Sequence, residues 1–316
     1  MITVLCGGVG AAKFLVGIAE AFRDEEIVAV VNVGDDEDFF GLHVSPDIDT
    51  ILYTLSGKIN LETGWGLKDE TWNVSKQLRQ LNAPTWFQLG DRDLATHLFR
   101  TGRLSQGADL TTITQELSQL LGVTIKVLPA SNDRVRTRLI TKEANGTMLD
   151  LSFQEYFVQR HHDVPIASIY YSGANGTKAT PEVESALDKS RNIIIAPSNP
   201  ILSIAPILNI ESIGNAIAAM RDKVIAVSPI VAGKAIKGPA DRIMKELGMD
   251  PSALGIAQYY KNFTAGMIID EKDSSYKEDI QRLGQKVKIT DTIMSDKKAS
   301  IALASTVRAF LDAKAG

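Results

Sequence analysis

The stretch Cys6-Gly7-Gly8-Val9-Gly10-Ala11-Ala12-Lys13 follows an apolar run at 2–5 and leads into an amphipathic pattern that continues to residue 22. A strand, a glycine turn and a helix N-terminus bring free backbone N–H groups and the positive end of a helix dipole to one place, where an anion can sit. Residues 8–13 carry the first two glycines of a G-x-G-x-x-G dinucleotide fingerprint but have Lys13 at the third. A Walker A loop is excluded as well, because Phe14 follows the lysine where a hydroxyl is required. Two readings fit the turn by itself. It is a phosphate site held partly by Lys13, or a tight strand-to-helix connection carrying a surface lysine.

Outward from this turn, apolar β-rich runs recur at 27–33, 125–128, 166–171, 193–196, 224–227 and 267–269. Helical patterns fall at 11–22, 181–189, 211–221, 240–247 and 297–311. The alternation predicts an α/β fold, a Rossmann-like, doubly wound and mainly parallel sheet. Segments 69–81, 91–100 and 110–121 read as consecutive helices with no strand between them, so the expected division is a nucleotide-binding domain over 1–60 and 124–316 with a small all-helical insert at 61–123. Alternating runs at 136–141 and 147–153 flank Asn145-Gly146, a hairpin signal.

A chain of 316 residues with a formal net charge of −4 has no general attraction for nucleic acid or an anionic membrane, so a bound phosphate must be held locally. The single cysteine, Cys6, rules out an intramolecular disulfide framework and fits a reducing cytoplasm. With the first strand starting at Ile2, no leader is expected, and no apolar run is long enough for a bilayer.

Polar loops follow the strands at 7–10, 33–36, 129–133, 196–200 and 228–234, which an open α/β sheet gathers on one rim, the usual place for a ligand. Asp35 and Asp36 end the second strand, and in Ser45-Pro46-Asp47-Ile48-Asp49-Thr50 the serine reads as an N-cap, Pro46 as the first helical residue. Carboxylates in a first turn are favoured by the dipole alone, yet four aspartates beside a phosphate site suit Mg²⁺, with Asp35 and Asp49 the preferred ligands. A nicotinamide site would instead use Asp35 on the ribose. In Gly90-Asp91-Arg92-Asp93-Leu94-Ala95-Thr96-His97, Arg92 suits phosphate and His97 proton transfer, against an exposed helix face as the plain reading. His161-His162 reads as a surface pair, and Pro197-Ser198-Asn199-Pro200 as a rigid polar loop suited to a base edge or ribose.

Together these blocks and Ser228-Pro229-Ile230 resemble the 2-phospho-L-lactate transferase family of deazaflavin coenzyme F-420 biosynthesis, in order and spacing across nearly the whole chain. The resemblance implies a homodimeric, Mg²⁺-dependent, phosphotransferase-type enzyme. Its donor is guanosine-diphosphate-activated phospholactate or phosphoenolpyruvate, its acceptor the deazaflavin Fo, and GMP leaves. It further implies diphosphate over Gly7, Gly8, Gly10 and Lys13, guanosine near Ser198, Asn199, Ser228 and Pro229, and the metal on Asp35 and Asp49. Deazaflavin would contact Asp49, Gln88, Asp91, Arg92 and His97, although related chains can carry a basic residue at the Gln88 position. The ribityl hydroxyl attacks the phosphorus bearing the acid, and Asp49 or a metal-bound hydroxyl, with Asp91 in reserve, is the expected proton acceptor. Two rival readings are a regulator of the gluconeogenesis-factor type that binds nucleotide sugars and, weaker because of Lys13, a nicotinamide dehydrogenase.

Overall fold

Ile2–Cys6 pairs in parallel with Ile27–Val31 on one side and Asn192–Ile195 on the other. The sheet extends through Lys126–Pro129 at one edge and through Val224–Val227, Gly266–Ile269 and Lys286–Ile289 at the other, all parallel, in the computed structural model, which describes residues 1–315. Counted along the chain, the strand order is 3-2-1-4-5-6-7. This is the doubly wound arrangement, whose winding reverses between the first and fourth strands, and the expected fold class is what the chain adopts.

Composition explains the order. The first two strands and Val224–Val227 are buried at every position, as strands covered by helices on both faces must be. Lys286–Ile289 alternates exposed lysines with half-buried Val287 and Ile289 and takes the edge. On one face the first helix, Gly8–Ala21, lies against Lys297–Ala315 so closely that a methyl on Gly17 would come within 2.1 Å of the Ser300 carbonyl oxygen. Among the described residues, no single helix is long and apolar enough to cross a membrane.

The run at 166–171, expected in the parallel sheet, lies elsewhere. Ile166–Ser172 forms an antiparallel sheet with Arg136–Lys142 in the centre and Met148–Ser152 on the far side. Of its seven residues only Ile166 is buried, a pattern that a strand covered on both faces cannot have. The Asn145-Gly146 turn is as expected, with Gly146 at φ 86° and its N–H donating to the Glu143 carbonyl at 2.9 Å. This sheet caps the carboxyl rim: Thr137 N–H donates to the Gly34 carbonyl at 2.7 Å and Gln154 Nε2 to that of Asp35 at 3.1 Å.

Between residues 61 and 123 the chain forms helices Asn73–Gln80, Asp91–Ser105 and Leu110–Leu121, preceded by an irregular segment whose one ladder contact joins Ile59 to Leu67. Of the boundaries that differ from expectation, two lie at the rim. The first helix begins at Gly8, inside the glycine turn, and the second strand stops at Val31, where Asn32 turns the chain by accepting the Gly34 N–H at 2.7 Å.

Candidate active site

At the switch point the glycine turn meets the loop after the fourth central strand. A methyl on Gly10 would lie 2.7 Å from the Pro197 carbonyl oxygen, and one on Gly7 would lie 2.5 Å from Asp47 Oδ2. Gly8 sits at φ 74°, the left-handed region that favours glycine. Asp47 is buried and grips the turn: Oδ1 accepts the Gly8 N–H at 2.8 Å and Oδ2 the Asn32 side-chain amide at 2.9 Å. Helix geometry leaves the N–H groups of Val9 and Gly10 for an incoming anion, with exposed Lys13 one turn on.

Above this rim lies a cavity of about 750 Å³. The rim contributes Gly7, Gly8, Gly10, Lys13, Asp35, Asp47, Asp49, Ser198, Asn199, Ser228 and Pro229; the segment between 61 and 123 contributes Trp65, Trp86, Phe87, Gln88, Asp93 and His97. Phe153, Phe157 and His161 close one side, and Lys237 adds a second free ammonium beside Lys13. Two π-helical turns, Glu155–Gln159 and Pro200–Ile204, border it, an irregularity common where backbone is shaped around a ligand. Of the five rim loops only 129–133 stays outside; there Asn132 accepts the Thr111 N–H and hydroxyl, tying Leu110–Leu121 to the sheet.

The cavity's acidic wall is a linked system. Asp49 Oδ1 is paired with the guanidinium of Arg100, a fully buried residue, while Asp49 Oδ2 is buried without a hydrogen-bond partner. Arg100 Nη1 also reaches His97 Nδ1 at 3.2 Å, and His97 Nε2 stands 3.5 Å from Asp93 Oδ2. Tyr53 completes the row, its hydroxyl donating to Asp93 Oδ1 at 2.7 Å. Burial pushes the Asp49 carboxyl up, and the Arg100 charge offsets only part of that rise. Burial and then the neighbouring Asp47 charge push Asp35 well above the usual carboxylate range.

Other expected residues have different work. Asp91 does not line the cavity. Its carboxylate accepts the Thr71 hydroxyl at 2.6 Å, the Asn73 N–H and side-chain amide at 2.9 Å each, and the Val74 N–H at 3.0 Å, anchoring the start of Asn73–Gln80. Those bonds hold its carboxyl down to about 2. Arg92 is also off the cavity and donates to the Lys68 carbonyl at 2.9 Å. Ser45 makes no side-chain cap; its hydroxyl instead donates to Asp36 Oδ2 at 2.9 Å. Asn199 Oδ1 accepts the N–H groups of Ile201 and Leu202, which leaves its amide NH₂ free, and Ser198 Oγ is buried without a partner. Ser228 Oγ closes its own turn on Ile230.

Arg100, Asp93, Tyr53 and the aromatic wall escaped the sequence reading. A signal existed for two of them: Asp93, His97 and Arg100 follow one another at i+4 and i+3, the spacing of a single helix face.

The family described as 2-phospho-L-lactate transferase CofD matches residues 2–307. The chain belongs to that family. Relatives run along its whole length: it is 38% identical over 327 residues to a protein of Mycolicibacterium smegmatis named phosphoenolpyruvate transferase, covering 98% of each chain. A 2-phospho-L-lactate transferase of Methanosarcina mazei is 34% identical over 304 residues, covering 96% of this chain and 98% of that one. A solved structure of a UPF0052 family protein from Bacillus halodurans shares the fold, at a TM-score of 0.62 and 17% identity over 98% of this chain and 97% of its own. In this CofD family chain, the matched span takes in both the glycine turn and the acidic wall.

Proposed function

We propose that this transferase moves a phospholactyl or phosphoenolpyruvyl group from a guanosine-diphosphate-activated donor to the ribityl hydroxyl of the deazaflavin Fo and releases GMP. The observation that carries the reading is the unpartnered Asp49 Oδ2 in the wall of a cavity lined both by a helix N-terminus with Lys13 and by Trp86, Phe87, Phe153 and Phe157. An anionic donor suits the helix N-terminus. A planar tricyclic acceptor suits the aromatic rings.

The residues fit Mg²⁺. Asp49 Oδ2 and Asp36 Oδ1 are buried carboxylate oxygens without protein partners, and the crowding of Asp35 against Asp47 is of the kind a divalent cation relieves. Asp35 and Asp49 would hold the ion, which when bound supplies Lewis-acid stabilisation of charge on the transferred phosphoryl group. The rest falls to the chain. The N–H groups of Val9 and Gly10 and the Lys13 ammonium hold the diphosphate, and Ser198 Oγ with the Asn199 amide offers donors to the guanosine. Asp49 Oδ2, the carboxylate oxygen that Arg100 leaves unpaired, accepts the proton of the attacking hydroxyl. The new P–O bond forms to the ribityl oxygen as the bond to GMP breaks, so alignment across the cavity carries much of the barrier reduction.

Purified protein incubated with Fo, Mg²⁺ and each activated donor should release GMP and form the phosphodiester with one of them. Nucleotide binding without turnover would transfer the reading to a binding protein, and Asp49→Asn with normal turnover would remove Asp49 from it. We further propose a homodimer acting in the cytoplasm, which sedimentation and fractionation test.

A further inference from the structure

Arg100 is the largest fully buried side chain in the described residues, and its fork joins Asp49 Oδ1, through Nη2, to His97 Nδ1, through Nη1 at 3.2 Å, while Nη1 also donates to the His43 carbonyl at 3.4 Å. A guanidinium only donates, so His97 Nδ1 must be the acceptor and a neutral His97 carries its proton on Nε2, the nitrogen 3.5 Å from Asp93 Oδ2. This tautomer matters to Asp49. His97 Nδ1 stands 3.7 Å from Asp49 Oδ2, so a proton on Nδ1 would let the imidazole claim that oxygen.

We propose that Arg100 is a positioning residue that keeps Asp49 Oδ2 available to the cavity, by occupying Asp49 Oδ1 and His97 Nδ1 with one guanidinium. The inference rests on the reading of Asp49 as the cavity's working carboxylate. Arg100 does not line the cavity, so its effect on the reaction passes through Asp49. Charge balance alone does not require the fork; a lysine would supply the charge, but its single ammonium cannot hold these acceptors in this planar arrangement.

Arg100→Lys is therefore the informative variant. It should melt near the wild type and keep the donor KM within about threefold, while kcat falls on the order of 100-fold, the size expected when a reacting group is displaced by about 1 Å. Binding of Mn²⁺ alone, followed by water-proton relaxation, should weaken about tenfold. In ¹⁵N NMR, wild-type His97 should show an Nε2–H tautomer with a hydrogen-bonded Nδ1, and the variant should shift towards Nδ1–H. A folded Arg100→Lys protein with wild-type kcat overturns the proposal. So does an Nδ1–H signature for His97 in the wild type, which decides the matter even if the variant fails to fold. Asp49→Asn separates the two levels: full activity there removes the reading of Asp49, whereas loss there beside an unaffected Arg100→Lys removes only the role of Arg100.

Discussion

The carboxylate of Asp47 holds the N–H of Gly8 at 2.8 Å, joining the second helix of the chain to the first turn of the first. Burial of that carboxylate raises its pKa from 3.8 to about 6, with the Asn32 amide and the Gly8 N–H offsetting part of the rise. The native state therefore keeps a proton that the unfolded chain has released between those values, and stability falls as pH rises through that window. Asp35 and Asp49 are raised too and act in the same direction. Thermal melts without divalent cation should give a midpoint that declines from about pH 4.5 to about pH 7.5, and Asp47→Asn should flatten the slope. A wild-type midpoint that climbs across this range contradicts the assignment.

Gly10 faces backbone, not a side chain that can swing away. The 2.7 Å approach to the Pro197 carbonyl means that Gly10→Ala must push the two loops of the switch point apart. The stability loss should be about 1–3 kcal/mol, the usual cost of overpacking, and GDP binding measured by calorimetry should fall by more than this modest loss of stability would suggest. Unchanged GDP affinity in a destabilised variant would show that the turn holds no diphosphate.

Asp91 and Asp49 both looked like reaction groups, and the structure separates them. Four hydrogen bonds bind the Asp91 carboxylate to residues 71–74. Because its carboxyl is held down to about 2, this anchoring is fully present above the ordinary carboxylate value and is lost as pH falls towards 2. Asp91→Ala should accelerate hydrogen exchange over residues 71–76 and lower kcat far less than Asp49→Asn does. Equal losses in the two variants would return Asp91 to the chemistry.

What could be read from the sequence follows the range of each interaction. Six of the seven central strands and the helix pattern are local periodicity, visible in runs such as Ile193–Ile195 and Pro181–Lys189. Lys286–Ile289 was missed because an edge strand carries two lysines in four residues, and Ile166–Ser172 was misplaced because local pattern does not say which sheet a strand joins. The glycine turn and the cavity position of Asp49 were legible, since both lie within a few residues of a strand end or helix start. Arg100 was not. Its partners are Asp49, 51 residues away, the His43 carbonyl, 57 residues away, and a histidine one turn back, and nothing in an arginine within an amphipathic helix announces that it is wholly buried. The aromatic wall was equally hidden, because Phe39, Trp86 and Phe153 come from three separate segments.

That wall carries the last test. Phe39 and Phe87 stack with ring centroids 3.9 Å apart at 6°, and Trp86 stands edge-on to both, at 5.3 Å from Phe39 and 6.0 Å from Phe87. Trp86 and Phe87 line the cavity, as does the stacked pair Phe153 and Phe157. A flat acceptor stacked on such rings gains about 0.5–1.5 kcal/mol per good ring contact beyond area burial. Trp86→Ala should therefore raise the KM for Fo about tenfold and leave the donor KM unchanged, because the phosphate end of the cavity is built from other segments. Fluorescence checks the placement independently of turnover, since Fo should quench the wild-type tryptophan emission and the part of that quenching that comes from Trp86 should be lost in Trp86→Ala, leaving that of Trp65 in the same cavity. If the donor KM moves instead, the nucleotide and the deazaflavin exchange ends, and the guanosine assignment of Ser198 and Asn199 falls with it.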